Sequence, residues 1–190
     1  MPNWCENKMI VAGRKDVVEN FLKRTGEDFK MLENHLPTPI ELLNSLAETE
    51  EQRTRYLSEY GASDWYWWRV YNWGTKWDID DAFLTGEAED IHQDGIDITS
   101  FVMHFNTAWA PPEEGIRKIS AMYENLLFHM EFEEPGMAFE GHYRCMNGVV
   151  LSSETRDMYD KFEWMVDNIV DYWDTAVSDS TEHSDEGENV

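Results

Sequence analysis

The stretch from Asp94 to Phe105 constrains the fold most. Asp94-Gly95 is a two-residue hairpin signal, because both residue types tolerate the left-handed backbone that a tight turn between twisted strands requires. Ile96, Ile98, Phe101, Met103 and Phe105 follow it as a strong strand run. The partner strand must come from just before the turn, and residues 76 to 84 supply a candidate. The chain is therefore organised around a sheet with a hairpin near its middle.

Elements on either side extend the sheet. Lys8-Met9-Ile10-Val11-Ala12 reads as a short buried strand that Gly13 ends. Residues 16 to 25 then carry helical spacing, with Val17, Phe21 and Leu22 on one side and Lys23 and Arg24 at the end, where positive charge suits the helix dipole. Pro111-Pro112 fits the start of a helix bearing Ile116, Ile119 and Tyr123. Strands are expected at residues 126 to 132 and 137 to 144, around the turn Glu134-Pro135-Gly136.

Between the first helix and the hairpin lies an insertion, residues 28 to 64. Phe29, Met31 and Leu32 suggest an extended piece, Pro37 and Pro39 break regular structure, and residues 48 to 60 suggest a polar helix. The resulting order, β-α-(insertion)-β-β-α-β-β, is a split βαβ plan with an added edge strand and helices on one sheet face. The expected fold is thus α+β, a ferredoxin-like antiparallel sheet with an inserted helical and aromatic segment. One domain is expected over residues 1 to 175, ending in a helix from about 155 to 174. An acidic, disordered tail is expected from 176 to 190. A chain of 190 residues with 42% apolar content can form such a core without disulfides or metal.

Charge restricts the partners. Asp and Glu total 39 against 15 Lys and Arg, a net charge of −24. Residues 119 to 190 hold 17 of the acids and only Arg144, Arg156 and Lys161 as bases. Such a surface repels phosphate backbones and anionic membranes, and it attracts basic proteins. No run of apolar residues reaches membrane-span length, and Met-Pro-Asn-Trp-Cys-Glu does not open an apolar leader, so a cytoplasmic protein is expected.

Two constellations stand out. In the expected last helix, Met158, Phe162, Met165, Ile169 and Tyr172 form an apolar seam. Asp157, Asp160, Glu163, Asp167, Asp171 and Asp174 form a carboxylate row about 25 Å long at the helical rise. A regular row of carboxylates can imitate a phosphate backbone; the plainer reading is a solvated helix face. The second constellation is aromatic: Trp65, Tyr66, Trp67, Trp68, Tyr71, Trp73 and Trp77. Core packing competes there with a protein interface. Trp65, Tyr66, Trp67 and Trp68 are the better interface candidates.

Signs of catalysis are weak. Asp90, His92, Asp94 and Gly95 have the spacing of a calcium loop, but its twelfth position is Phe101 where a bidentate Glu is needed. Cys5 and Cys145 are not spaced as a metal or redox pair, although the fold could bring either to a histidine such as His104 or His142. No phosphate-binding Gly loop or nucleophile elbow is present. No cofactor and no metal are expected.

Four segments occur together: Met-Pro-Asn-Trp-Cys-Glu-Asn at 1–7, Asn-Trp-Gly-Thr-Lys-Trp-Asp at 72–78, Thr-Ala-Trp-Ala-Pro-Pro at 107–112, and Glu-Pro-Gly-Met-Ala-Phe-Glu-Gly at 134–141. In this order they resemble the YubB-type ferredoxin-like family of bacteriophages and conjugative plasmids, over residues 1 to 145. The resemblance implies a ferredoxin-like fold and a mobile-element origin, and it brings no activity. Combined with the charge, it leads to one expectation. The chain is expected to be a non-enzymatic interaction protein that binds and inhibits a host nucleic-acid-handling or defence protein with a basic surface, with DNA mimicry as one means. The alternatives are a self-assembling scaffold and a small metal-dependent hydrolase.

Overall fold

The computed structural model describes residues 3–43, 49–93 and 96–159. Contacts divide the chain into two units, Met1–Thr155 and Arg156–Val190. The elements are β1 (Trp4–Gly13), α1 (Lys15–Thr25), α2 (Met31–His35), α3 (Ile40–Leu43), α4 (Glu50–Tyr60) and α5 (Trp65–Trp73), followed by β2 (Asp80–Gln93), β3 (Ile96–Ala108), α6 (Glu113–Ser120), β4 (Leu127–Glu134), β5 (Phe139–Met146) and β6 (Val149–Asp157). The strands form one sheet in the order β2-β3-β1-β4-β5-β6. β1 pairs antiparallel with β3 on one side and with β4 on the other. The first four strands thus make two interleaved split βαβ units, the ferredoxin-like plan. β5 and β6 extend it.

Alternation along β1 decides what the sheet buries. Cys5, Met9 and Val11 point to the helical side and are fully buried. Phe101, Met103 and Phe105 of β3, and Phe128, Met130 and Phe132 of β4, face the same way. Val18 and Phe21 of α1 and Ile116 and Ile119 of α6 close over them. Helices on one face of an antiparallel sheet leave the other face open. That open face carries Lys8, which lies opposite His104 and Glu131, and Glu131 in turn lies opposite His142.

The central hairpin forms as the sequence predicts. Gln93 pairs with Ile96, so two residues connect β2 to β3. The paired region is longer than expected and starts later, at Asp80 rather than residue 76, because Thr75 is bonded to the Ala108 carbonyl and Asp78 to the N–H groups of Leu32 and Glu33. Register shifts after Asp80 and after Thr85 mark bulges, and Gly86 takes the left-handed backbone that one of them needs.

Two sequence expectations fail. Residues 31 and 32 are helical, not extended, because the Asp78 carboxylate accepts the free N–H groups of Leu32 and Glu33, each at 2.9 Å. This cap comes from across the fold and leaves no local trace. The second failure is the start of the last helix: residues 155 to 157 belong to strand β6. Asn147 (φ 52°) and Gly148 (φ 77°) make the turn that leads into it. Residues 158 and 159 are helical, and the rest of that expected helix, from 160 on, lies outside the described residues.

β5 and β6 meet closely at Gly141. A β-carbon there would sit 2.1 Å from the Glu154 carbonyl oxygen and 2.7 Å from the Phe132 ring. Gly141→Ala should cost about 1–3 kcal/mol by overpacking, and amide exchange should show β6 released before the rest of the sheet.

His35 holds the insertion to the core. Its ring is buried, stacks on Phe21, donates from Nδ1 to the Met31 carbonyl at 2.8 Å and accepts from the Tyr123 hydroxyl at 2.8 Å. Burial lowers its pKa from 6.5 to about 4. Above pH 6.5 the ring is neutral in both folded and unfolded chains, so the stabilisation is complete. Between 6.5 and 4 only the unfolded chain takes up the proton, and about 3 kcal/mol is lost. Urea unfolding of wild type and His35→Gln should differ in that window, with the variant lacking this component of the pH dependence.

Candidate interaction surface

Six of the nine residues of α5 are aromatic, and its ends are fixed by short-range bonds. Asp64 caps its start by accepting the Trp67 N–H at 3.0 Å. Gly74, left-handed at φ 85°, ends it by donating to the Val70 carbonyl. The helix then sorts its rings by face. Trp73 is fully buried and donates from its indole to the Leu36 carbonyl at 2.9 Å. Trp68 packs edge-on against Trp73 at the margin of the core. Trp65 is half-buried beneath the Arg69 guanidinium, which lies 5.3 Å from its ring and 4.5 Å from that of Trp73.

The outward face carries Tyr66, Trp67 and Tyr71, exposed by 39%, 46% and 57%. Tyr66 meets Trp67 edge to face at 5.2 Å, and Trp67 stacks on Tyr71 at 5.7 Å. Of the four aromatic candidates, Tyr66 and Trp67 therefore lie on the surface, while Trp65 and Trp68 turn toward the fold. Tyr71 joins the surface group. Its i,i+4 spacing from Trp67 is the helical signal that places it there. A second exposed group surrounds Lys76, whose ammonium lies 4.0 Å from the Trp77 ring and 5.8 Å from that of Trp109.

Of the carboxylate row, Asp157 closes β6 and accepts the Tyr159 N–H at 2.8 Å. Asp160, Glu163, Asp167, Asp171 and Asp174 lie outside the described residues.

Much of the four short motifs holds loops in place. Asn7 donates to the Cys5 and Phe105 carbonyls and to the Thr107 hydroxyl. Thr107 donates to the Ala110 carbonyl and Thr75 to the Ala108 carbonyl. Glu134, almost fully buried, accepts the N–H groups of Gly136 and Met137. Arg69 binds the Thr38 hydroxyl at 2.9 Å and Glu33 at 3.1 Å, which ties α5 to the insertion.

The sheet separates the groups that catalysis would need together. Cys5 and Cys145 face the helical layer, fully buried, whereas His104 and His142 lie on the open face. Burial pushes the Cys5 thiol up to about 12, with Glu134 adding to the effect, and burial raises Cys145 as well. Neither thiol is disposed to ionise. Their strand positions differ by six residues of β1, about 20 Å at the strand rise, so no disulfide can join them. In the hairpin, Asp90 accepts from Thr99 and Lys15, and His92 pairs with Asp97 across the strands. These bonds engage Asp90 and His92 of the residues whose spacing resembles a calcium loop, while Asp94 and Gly95 lie outside the described residues.

Residues 88–176, just under half of the chain, match the family of the ferredoxin-like domain in Api92-like protein. Among solved structures, the crystal structure of a protein Api92 from Yersinia pseudotuberculosis is similar over 82% of this chain and 98% of that one, at 10% identity and a TM-score of 0.47. No match was found among curated proteins. Family match and strand order together define a ferredoxin-like α+β domain. No helix among the described residues is long and apolar enough to cross a membrane.

Asp78, the last residue of the second motif, offers a direct test of the motif's structural role. Asp78→Asn replaces an acceptor oxygen with an amide nitrogen facing an N–H group. It should cost about 1–3 kcal/mol, and thermal melts should show the loss while Asp80→Asn, exposed at the start of β2, leaves stability nearly unchanged.

Proposed function

We propose that this chain is a non-enzymatic, acidic protein-interaction module of phage or plasmid origin, acting in the cytoplasm of a host bacterium. It binds a basic, nucleic-acid-handling or defence protein of the host and inhibits it by presenting carboxylates where DNA presents phosphates. The observation that carries this reading is an exposed aromatic ladder, Tyr66, Trp67 and Tyr71, on a protein of net charge −24. Aromatic side chains anchor protein interfaces, and a uniform charge selects partners and speeds encounter. The same charge argues against direct nucleic-acid or membrane binding. Buried, un-ionised thiols set apart from the histidines support a role without nucleophilic catalysis.

A second reading is self-assembly through β6. Among the described residues this strand is an edge, with Val149, Val150 and Leu151 exposed by 59%, 44% and 50%, and exposed apolar edges invite pairing with another strand. Sedimentation at increasing concentration separates the two: a monomer throughout removes the assembly reading.

Capture of partners from host lysate at low and high salt, followed by titration of the purified partner, tests the first reading. Neutralising Asp160, Glu163, Asp167 and Asp171 to Asn or Gln should weaken binding about tenfold or more at low salt and flatten its salt dependence. Unchanged affinity and an unchanged salt slope would remove the mimicry reading.

A further inference from the structure

Three of the four motifs converge on a cleft that the proposed function does not yet use. It has a volume of about 580 Å³ and lies between the start of α6 and the β5–β6 extension. Gly74 comes to it from the second motif, Pro111 from the third and Phe139 from the fourth. The cleft exists because the sheet continues past its helical layer. α6 is the helix that packs against this end of the sheet, and β6 beyond it is exposed along nearly its whole length. Phe132, Phe139, Tyr143 and Val150 make the walls aromatic and apolar.

One polar group in this cleft has no counterpart. Glu113, the first residue of α6, is half-buried and has no hydrogen bond or ion pair among the described residues. Its neighbour Glu114 is fully engaged: Arg117 grips it bidentately at 2.9 and 2.7 Å, and Lys118 approaches at 3.4 Å. The Arg117 charge is therefore matched within the wall, and the lining keeps one uncompensated carboxylate. Burial raises the Glu113 carboxyl, and burial raises the Tyr143 hydroxyl, with the charge of Glu113 contributing to the latter. Both groups resist further negative charge, and a cation would relieve them.

The chain already contains the arrangement that suits such a place. The Arg69 guanidinium lies over two Trp rings while pairing with Glu33 at 3.1 Å. A guanidinium is flat, stacks on aromatic faces, sheds water more readily than an ammonium and binds a carboxylate through two parallel bonds.

We propose that this cleft receives an arginine side chain of a protein partner, with the Glu113 carboxylate pairing to the guanidinium and the half-buried ring of Phe139 lying against its plane. The proposal rests on the basic-partner reading above and adds the residue type that anchors it.

The test is a titration of isotope-labelled full-length chain with Nα-acetyl-arginine amide and, separately, Nα-acetyl-lysine amide, followed by amide NMR shifts. The arginine probe should shift Gly74, Ala110 and Glu113 saturably. The lysine probe should bind about tenfold more weakly. Glu113→Gln should weaken the arginine probe about tenfold, and Phe139→Leu should weaken it by a smaller factor, with dispersed spectra confirming that both variants fold. Equal binding of both probes, binding unchanged by Glu113→Gln, or shifts confined to other surfaces would overturn the proposal. A hexa-arginine peptide distinguishes the two levels. If it binds wild type and Glu113→Gln equally and releases in salt, the cleft assignment fails while the basic-partner reading stands. If neither peptide nor amide binds at low salt, both fail.

Discussion

The position of β1 between β3 and β4 governs this protein. Every residue from Trp4 to Gly13 has a partner on β3, and Glu6 to Ala12 also have partners on β4. A strand bonded on both edges cannot slip by one residue without turning its whole apolar set to the wrong face. Cys5, Met9 and Val11 fix which face that is, and the helices have nowhere else to dock. The buried thiols, the open face with its imidazoles and the reach of the sheet beyond α6 all follow from this placement.

The insertion is held to this frame by polar bonds as much as by apolar packing. Asp78 caps α2, Arg69 bridges to Glu33 and Thr38, Trp73 reaches the Leu36 carbonyl, and His35 links Met31 to Tyr123. Such bonds are directional, and they set how α5 is rotated about its axis. That rotation buries Trp73 and leaves Tyr66, Trp67 and Tyr71 outside. An aromatic helix thus serves as core on one side and as surface on the other.

The sequence is most informative where the signals are local. Asp94-Gly95 marks the hairpin, the β1 run marks a buried strand, and Pro111-Pro112 marks the start of α6. It misleads where the decisive partner is distant. α2 owes its first turn to a carboxylate 46 residues away, so Phe29 to Leu32 look extended when read alone. β6 is a different case. Asn147-Gly148 is as good a turn signal as Asp94-Gly95, but β6 is exposed on both sides and shows no apolar alternation. Acidic residues just beyond it favour a helical reading that reaches back too far. Glu113 is unremarkable as a letter, because what distinguishes it is the lack of a partner among the described residues, and only three-dimensional proximity reveals that. The surface role of α5 is half legible: its composition points to an interface, and its helical phase picks out Tyr71 while turning Trp65 and Trp68 inward.

The central strand also leaves the ribosome before either of its neighbours. Met9 must wait for Met103 on one side and Met130 on the other before its backbone groups are paired. Pairings this far apart in sequence delay folding, since the intervening chain must be made and closed before any contact rewards it. During synthesis, Met9-Ile10-Val11 is therefore an exposed apolar segment with no native neighbour.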